Sequence, residues 1–230
     1  MEPLLILWDI DGTLIRSGEI AAAVFEWSLE HVIGHPPAER IKMSGKTDPQ
    51  IVQEYLDAMG VSNPAALSAI LAHAEAELAK AESQLSLQGY VCPGVAEVMA
   101  ALAARQGVTQ TVLTGNIAPN AVVKLRAFGL ERFVDFEIGA YGSDHAERTK
   151  LVPIALERAE RIRSLGIRPE QVWVIGDTPH DLACARAGGV RCLLVATGTY
   201  PIEELRLLHP DVALSDLSDL DEVLASLSIS

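Results

Sequence analysis

The 230-residue chain reads as an α/β protein: a parallel sheet flanked by helices, interrupted near its start by an inserted helical bundle. Three observations predict this. Short apolar runs recur between helical stretches, as strands covered on both faces do. Polar and acidic residues stand where those runs end, at the carboxyl edge where such sheets place ligands. After the first run, about seventy residues keep helical period and helix caps without a strand. The division expected is a core of residues 1–15 and 88–230 and a helical insert of residues 16–87.

The first strand, Leu4-Leu5-Ile6-Leu7-Trp8, delivers Asp9-Ile10-Asp11-Gly12-Thr13. Two residues apart, Asp9 and Asp11 share a face if the strand stays regular. Gly12 lets the backbone turn sharply enough for its amides to approach a ligand. Adjacent acids repel unless one is protonated or a cation lies between them, so the plainest reading is a magnesium site with a nucleophile and a proton donor.

In the insert, Ile20 to Val32 has helical spacing and stops at Gly34. Asp48-Pro49 supplies an N-cap and first-turn proline for a helix reaching Met59-Gly60, and Asn63-Pro64 repeats the device. The helix that follows carries a stripe of Leu67, Leu71, Ala74, Leu78, Ala81 and Leu85 suited to packing on other helices. Between the first two helices, Lys46 and Thr47 lie on a polar loop, where Lys46 reaches a substrate anion if the loop faces the acids. A helix cap with a solvated lysine is the competing reading.

The core resumes at Gln88-Gly89-Tyr90-Val91-Cys92-Pro93-Gly94, and Val95 to Ala104 is a helix. The strand Gln110–Leu113 ends in Thr114-Gly115-Asn116, where backbone amides and a hydroxyl suit phosphate; an N-cap for the helix through Leu125 is the alternative. Phe133 to Ile138 reads as a third strand. Thr149 then caps a helix over Leu151–Ser164, leaving Arg148 just outside it and Lys150 in its first turn, where a cation opposes the dipole. The strand Gln171–Ile175 ends in Gly176-Asp177-Thr178-Pro179-His180-Asp181. Thr178-Pro179 opens the next helix and places Asp181 at its third position. Capping accounts for Asp181, but not for Asp177. Arg191–Val195 is a fifth strand, Asp211–Leu214 an edge strand, and Leu220–Leu227 a last helix.

A net charge of -13 and a pI near 4.8 argue against nucleic acid or an anionic membrane as partner. No apolar run reaches transmembrane length, and Met1-Glu2-Pro3 enters the first strand without a secretory leader, so a cytoplasmic location is expected. Cys92, Cys184 and Cys192 lack metal-type spacing and read as reduced, packed thiols.

Asp9-Ile10-Asp11-Gly12-Thr13, Thr114-Gly115-Asn116, Arg148 or Lys150, and Gly176-Asp177-Thr178-Pro179-His180-Asp181 resemble the four ordered motifs of the haloacid dehalogenase-like hydrolase superfamily. The likeness spans nearly the whole chain, and the insert resembles that family's first-position cap. The third motif departs from the usual lysine followed by proline. The resemblance implies a Rossmann-like core and a phosphoglycolate phosphatase-like enzyme that hydrolyses a small phosphorylated metabolite with Mg2+. In that scheme Asp9 is the nucleophile and Asp11, protonated at first, the acid and then base. Thr114, Gly115, Asn116 and Arg148 or Lys150 bind phosphate. The metal is held by the Asp9 and Asp177 carboxylates and the carbonyl of Asp11, with Asp181 acting through water or as an orienting neighbour. Lys46 and Thr47 of the cap meet the organic part of the substrate. A phosphomutase would use the same motifs. A dehalogenase releases halide without a proton and leaves Asp11 without a task, and a non-catalytic module has no use for all four motifs together.

Overall fold

The structure, a computed structural model, describes residues 3–228; Met1 and Glu2, part of the segment in which no secretory leader is expected, lie outside the described residues. Five parallel strands form the main sheet: β1 (Leu4–Trp8), β4 (Val108–Val112), β5 (Val172–Gly176), β6 (Arg191–Val195) and β7 (Val212–Leu214), in the order β4-β1-β5-β6-β7. Trp8 pairs in register with Val112 and Ile175, so the chain leaves three neighbouring strands, β4, β1 and β5, at one level, at the same edge.

Side-chain alternation builds the layers. Ile6 and Trp8 point to one face, with Trp173 and Ile175, and pack on α5 (Val95–Ala103), α6 (Ala118–Ala127) and α10 (Leu220–Ser226). Leu5 and Leu7 point to the other, with Val172 and Val174, against α7 (Leu151–Arg163), α8 (Pro179–Gly188) and α9 (Ile202–Leu207). A strand buried on both faces reads as a continuous apolar run, as these do.

Helices α1 (Ile20–Ile33), α2 (Asp48–Ala58), α3 (Pro64–Lys80) and α4 (Glu82–Gln88) bury a third cluster among themselves, including Leu29, Tyr55, Ile70 and Leu85. The chain enters and leaves this bundle through a two-stranded antiparallel ribbon, β2 (Ile15–Arg16) with β3 (Tyr90–Val91). No helix among the described residues is long and apolar enough to cross a membrane. All three cysteines are buried and unpaired.

Several local expectations give way. The Phe133–Ile138 stretch is not a strand but two 3-10 turns, Glu131–Phe133 and Phe136–Ile138. Asp135 caps the second turn through the Glu137 amide, and only Ala140 bridges to Leu113. The long third helix of the insert breaks at Ala81, and its buried line runs through Ala66, Ile70, Ala74 and Leu78, with Leu67 and Leu71 only partly covered. Thr47, not Asp48, is the N-cap of α2. The helix after Thr114 starts at Ala118, with neither Thr114 nor Asn116 as cap. Thr149 does not cap α7; it lies in a 3-10 turn, Arg148–Lys150, and its hydroxyl donates to Glu147. The expected caps at Asn63 and Thr178 form, and Gly34 ends α1 in the left-handed conformation.

Candidate active site

Strand ends place the residues. β1 gives way after Trp8, and Asp9 keeps one last sheet bond, its amide donating to Ile175 O at 2.9 Å. Gly12 adopts φ +94, and a Cβ there would stand 2.5 Å from an Asp177 carboxylate oxygen, so the turn needs glycine for both conformation and space. Gly198, after β6, also lies against Asp177, where a Cβ would overlap Oδ2. Asp177 thus packs closely against two glycines, with one oxygen accepting from Thr13 Oγ1 at 3.1 Å.

Three carboxylates converge. Asp9, Asp177 and Asp181 each offer an oxygen within 4.8 Å of the others, and they are only 4%, 2% and 0% exposed. Arg148, also buried, reaches Asp9 Oδ1 at 2.8 Å and Asp181 Oδ1 at 2.5 Å. Asp181 meanwhile forms a reciprocal cap with Thr178, accepting from its amide at 3.0 Å and its hydroxyl at 2.7 Å. Capping and cluster membership are therefore both true of Asp181.

Burial pushes Asp9 above the usual carboxylate range; Arg148 counters it, and Asp181 adds to it. Burial, then Asp9 and Asp181, push Asp177 up too. Three buried acids facing one guanidinium form the hard-oxygen donor set that suits a divalent cation. Binding such an ion would offset the charge that burial now penalises, so the residues fit magnesium.

Asp11 departs from expectation. The strand does not stay regular through it, and its carboxylate lies outside the acidic trio. Oδ2 accepts from Lys124 Nζ at 2.6 Å and Asn116 Nδ2 at 2.8 Å, and Oδ1 from Ser17 at 3.4 Å. Burial raises its pKa, but Lys124, Asn116 and Ser17 outweigh that and hold it below the ordinary value. These partners favour the charged form of Asp11, whereas the expected role begins with a proton on it.

Lys124 is the functional candidate that sequence reasoning missed. It is 5% exposed on α6, bonded to Asp11 and, at 2.7 Å, to Asn116 Oδ1. A signal existed: Lys124 falls three residues after Ala121 and beside Leu125, on the face of α6 that packs inward. Asn116 Nδ2 also donates to Thr114 Oγ1 at 2.8 Å, so Thr114, Asn116, Lys124 and Asp11 form one network.

The insert closes over these groups. A cavity of about 480 Å³ is lined by Asp9, Asp11, Thr114, Gly115, Asn116, Arg148 and Asp177 below and by insert residues above. Gly115 O accepts from the Asp48 amide at 2.7 Å, and a Cβ on Gly115 would overlap Lys46 O. Asp48 Oδ2 accepts from the Ile117 amide at 2.8 Å, so an insert residue caps the core helix α6. Lys46 lines the cavity, but its ammonium is paired with Glu54. Thr47 does not line it; its hydroxyl accepts from the Gln50 amide and donates to Ala146 O at 2.7 Å. Lys150 is exposed and outside the lining, as a cation opposing the dipole should be, whereas Arg148 is inside. His180 is exposed, in the first turn of α8.

The sequence model of the haloacid dehalogenase-like hydrolases matches residues 4–189. The chain is 26% identical to the pyrophosphatase PpaX of Halalkalibacterium halodurans, over 97% of each. It is 31% identical to the tyrosine-protein kinase PtkA of Mycobacterium tuberculosis, over 85% of this chain and 63% of the kinase. The crystal structure of a predicted phosphoglycolate phosphatase from Haemophilus somnus 129pt superposes with a TM-score of 0.70 at 19% identity, over 97% of this chain and 98% of that one.

Proposed function

The chain belongs to the haloacid dehalogenase-like hydrolases, and within them we propose that it is a magnesium-dependent phosphatase that cleaves small phosphomonoesters through an aspartyl phosphate on Asp9. The observation that carries this reading is the convergence of Asp9, Asp177 and Asp181 beside Arg148 at the floor of a cavity of about 480 Å³. That volume suits a small metabolite. Residues 16–87 act as the cap, and residues 1–15 with 88–230 as the catalytic core. A cytoplasmic location accords with three unpaired cysteines.

Asp9 and Asp177 would hold the magnesium directly, with the carbonyl of Asp11, and Asp181 would orient them. The ion supplies charge neutralisation and a fixed phosphate oxygen. Asp9 attacks phosphorus, forming the acyl phosphate and breaking the bond to the leaving oxygen. Arg148, in the cavity lining, offsets charge on the transferred group; its buried Nε has no hydrogen-bond partner among the described residues. Thr114 and the Gly115 amide hold further phosphate oxygens, with Asn116 fixing the Thr114 hydroxyl. The Asp11–Lys124 pair carries one exchangeable proton, given through Asp11 to the leaving oxygen and regained from the water that hydrolyses the acyl phosphate.

Transfer to tyrosine, the activity named for one relative, is less favoured, because that name belongs to a chain of which 63% is matched. Halide displacement leaves Asp11 and its lysine partner without a role. The test is a screen of phosphate esters with Mg2+ and with chelator, repeated on Asp9→Asn. Phosphate release that needs Mg2+ and disappears in the variant is expected; equal release by variant and parent would overturn the assignment.

A further inference from the structure

Resting on the phosphatase reading, we infer that the leaving group of the substrate is a short, uncharged, largely apolar alcohol, seated in a chamber that the insert lines with Ala21, Ala22, Phe25, Met43 and Ile51. Ala21 and Ala22 stand four and three residues before Phe25 on α1, so the three share one helical face. Met43 from the polar loop and Ile51 from α2 complete the wall over the acids.

The charges of the same cavity decide what this wall accepts. Lys46, on the loop between α1 and α2, is paired with Glu54, and Glu54 is braced by Gln50 Nε2 at 3.1 Å. On the core side, Lys124 is paired with Asp11, and Arg148 with Asp9 and Asp181. Arg16, from the ribbon, turns to the Gly198 carbonyl at 3.3 Å, beside Asp177. A carboxylate or second phosphate on a leaving group seated against the insert wall would therefore meet apolar side chains and lysines already paired with carboxylates, and would lose its hydration without a partner. An alkyl group of the same shape gains by burying apolar area. Glu54 is thus a specificity residue: it silences Lys46.

Calorimetric titration in Mg2+ tests this with two shape-matched, non-hydrolysable probes, isoamylphosphonate and phosphonopropionate. The isoamyl probe is expected to bind at least about tenfold tighter. In Glu54→Gln the ratio narrows, as Lys46 becomes available to the anionic probe. Equal or tighter binding of phosphonopropionate by the parent would overturn the inference, and so would an unchanged ratio in Glu54→Gln. Turnover of isobutyl phosphate against phosphoglycolate and pyrophosphate separates the two levels. Hydrolysis of phosphoglycolate or pyrophosphate in preference to isobutyl phosphate overturns the chamber reading alone, whereas binding of the isoamyl probe without phosphate release from any ester overturns the phosphatase reading.

Discussion

Asp48→Asn should make the protein more stable at neutral pH, though it replaces an acid that caps a helix. Asp48 is 4% exposed and holds the Ile117 amide at 2.8 Å. Burial lifts its pKa from 3.8 to about 6; Lys124, the Ile117 amide and Asn120 work against that rise, and Asp11 adds to it. A carboxyl group whose folded pKa lies above its unfolded value binds protons more tightly when folded, so its contribution is full below the unfolded pKa and is lost as pH rises through the folded one. Over the interval from 3.8 to about 6, ionisation costs the folded state on the order of 3 kcal/mol. Asparagine keeps an oxygen for the Ile117 amide and carries no charge, so it avoids that cost but loses the attraction of Lys124. The expected net gain at pH 8 is about 1–2 kcal/mol, shrinking toward zero or reversing below pH 4. Urea unfolding of parent and variant, across this range at equal m-value, reads the difference. A variant destabilised equally at acid and neutral pH would refute the argument, because the hydrogen bond would then outweigh the desolvated charge.

Gly198→Ala forces a Cβ onto Asp177 Oδ2 and should abolish phosphate release while leaving far-UV circular dichroism unchanged. In Trp8→Phe the buried Gln110 Oε1 loses its 3.0 Å donor, and unfolding should cost about 1–3 kcal/mol less, measured in urea. Arg148→Met leaves Asp9 and Asp181 without their cation; thermal unfolding in chelator should show a loss of about 3–5 kcal/mol, partly recovered by Mg2+. For the parent, the unfolding midpoint should climb with Mg2+ concentration and fall back with chelator, a dependence that Asp177→Asn removes.

What could be read from the sequence follows how local each signal is. β1, β5 and β6 are short apolar runs, and their burial on both faces is written in their composition. Asp177 was legible because an acid after such a run, behind a glycine, has no use in a core. The stretch Val134-Asp135-Phe136-Glu137-Ile138 alternates as a strand should, yet Asp135 competes for the backbone through its own side chain, and 3-10 turns win. Lys124 was hidden because its meaning depends on Asp11, 113 residues away. The cap of α6 could not be read at all: it comes from Asp48, across the interface, while the sequence offers Thr114 and Asn116 as nearer candidates.

The same distinction explains why Arg148 and Lys46, both cations read as candidates, differ in what they offer a substrate. Each faces carboxylates, so counting charges does not separate them. The acids on Arg148 belong to a cluster of three that one guanidinium cannot balance, and a divalent ion held by that cluster would compete for Asp9 and leave the guanidinium available to phosphate. Glu54 has no such rival; its other neighbour is the Gln50 amide. Lys46 therefore stays paired whether or not the floor of the cavity is loaded. On the proposed reading, the metal would free a cation for the phosphoryl group, while an anion on the leaving group is held off by one glutamate in the second turn of the cap helix α2.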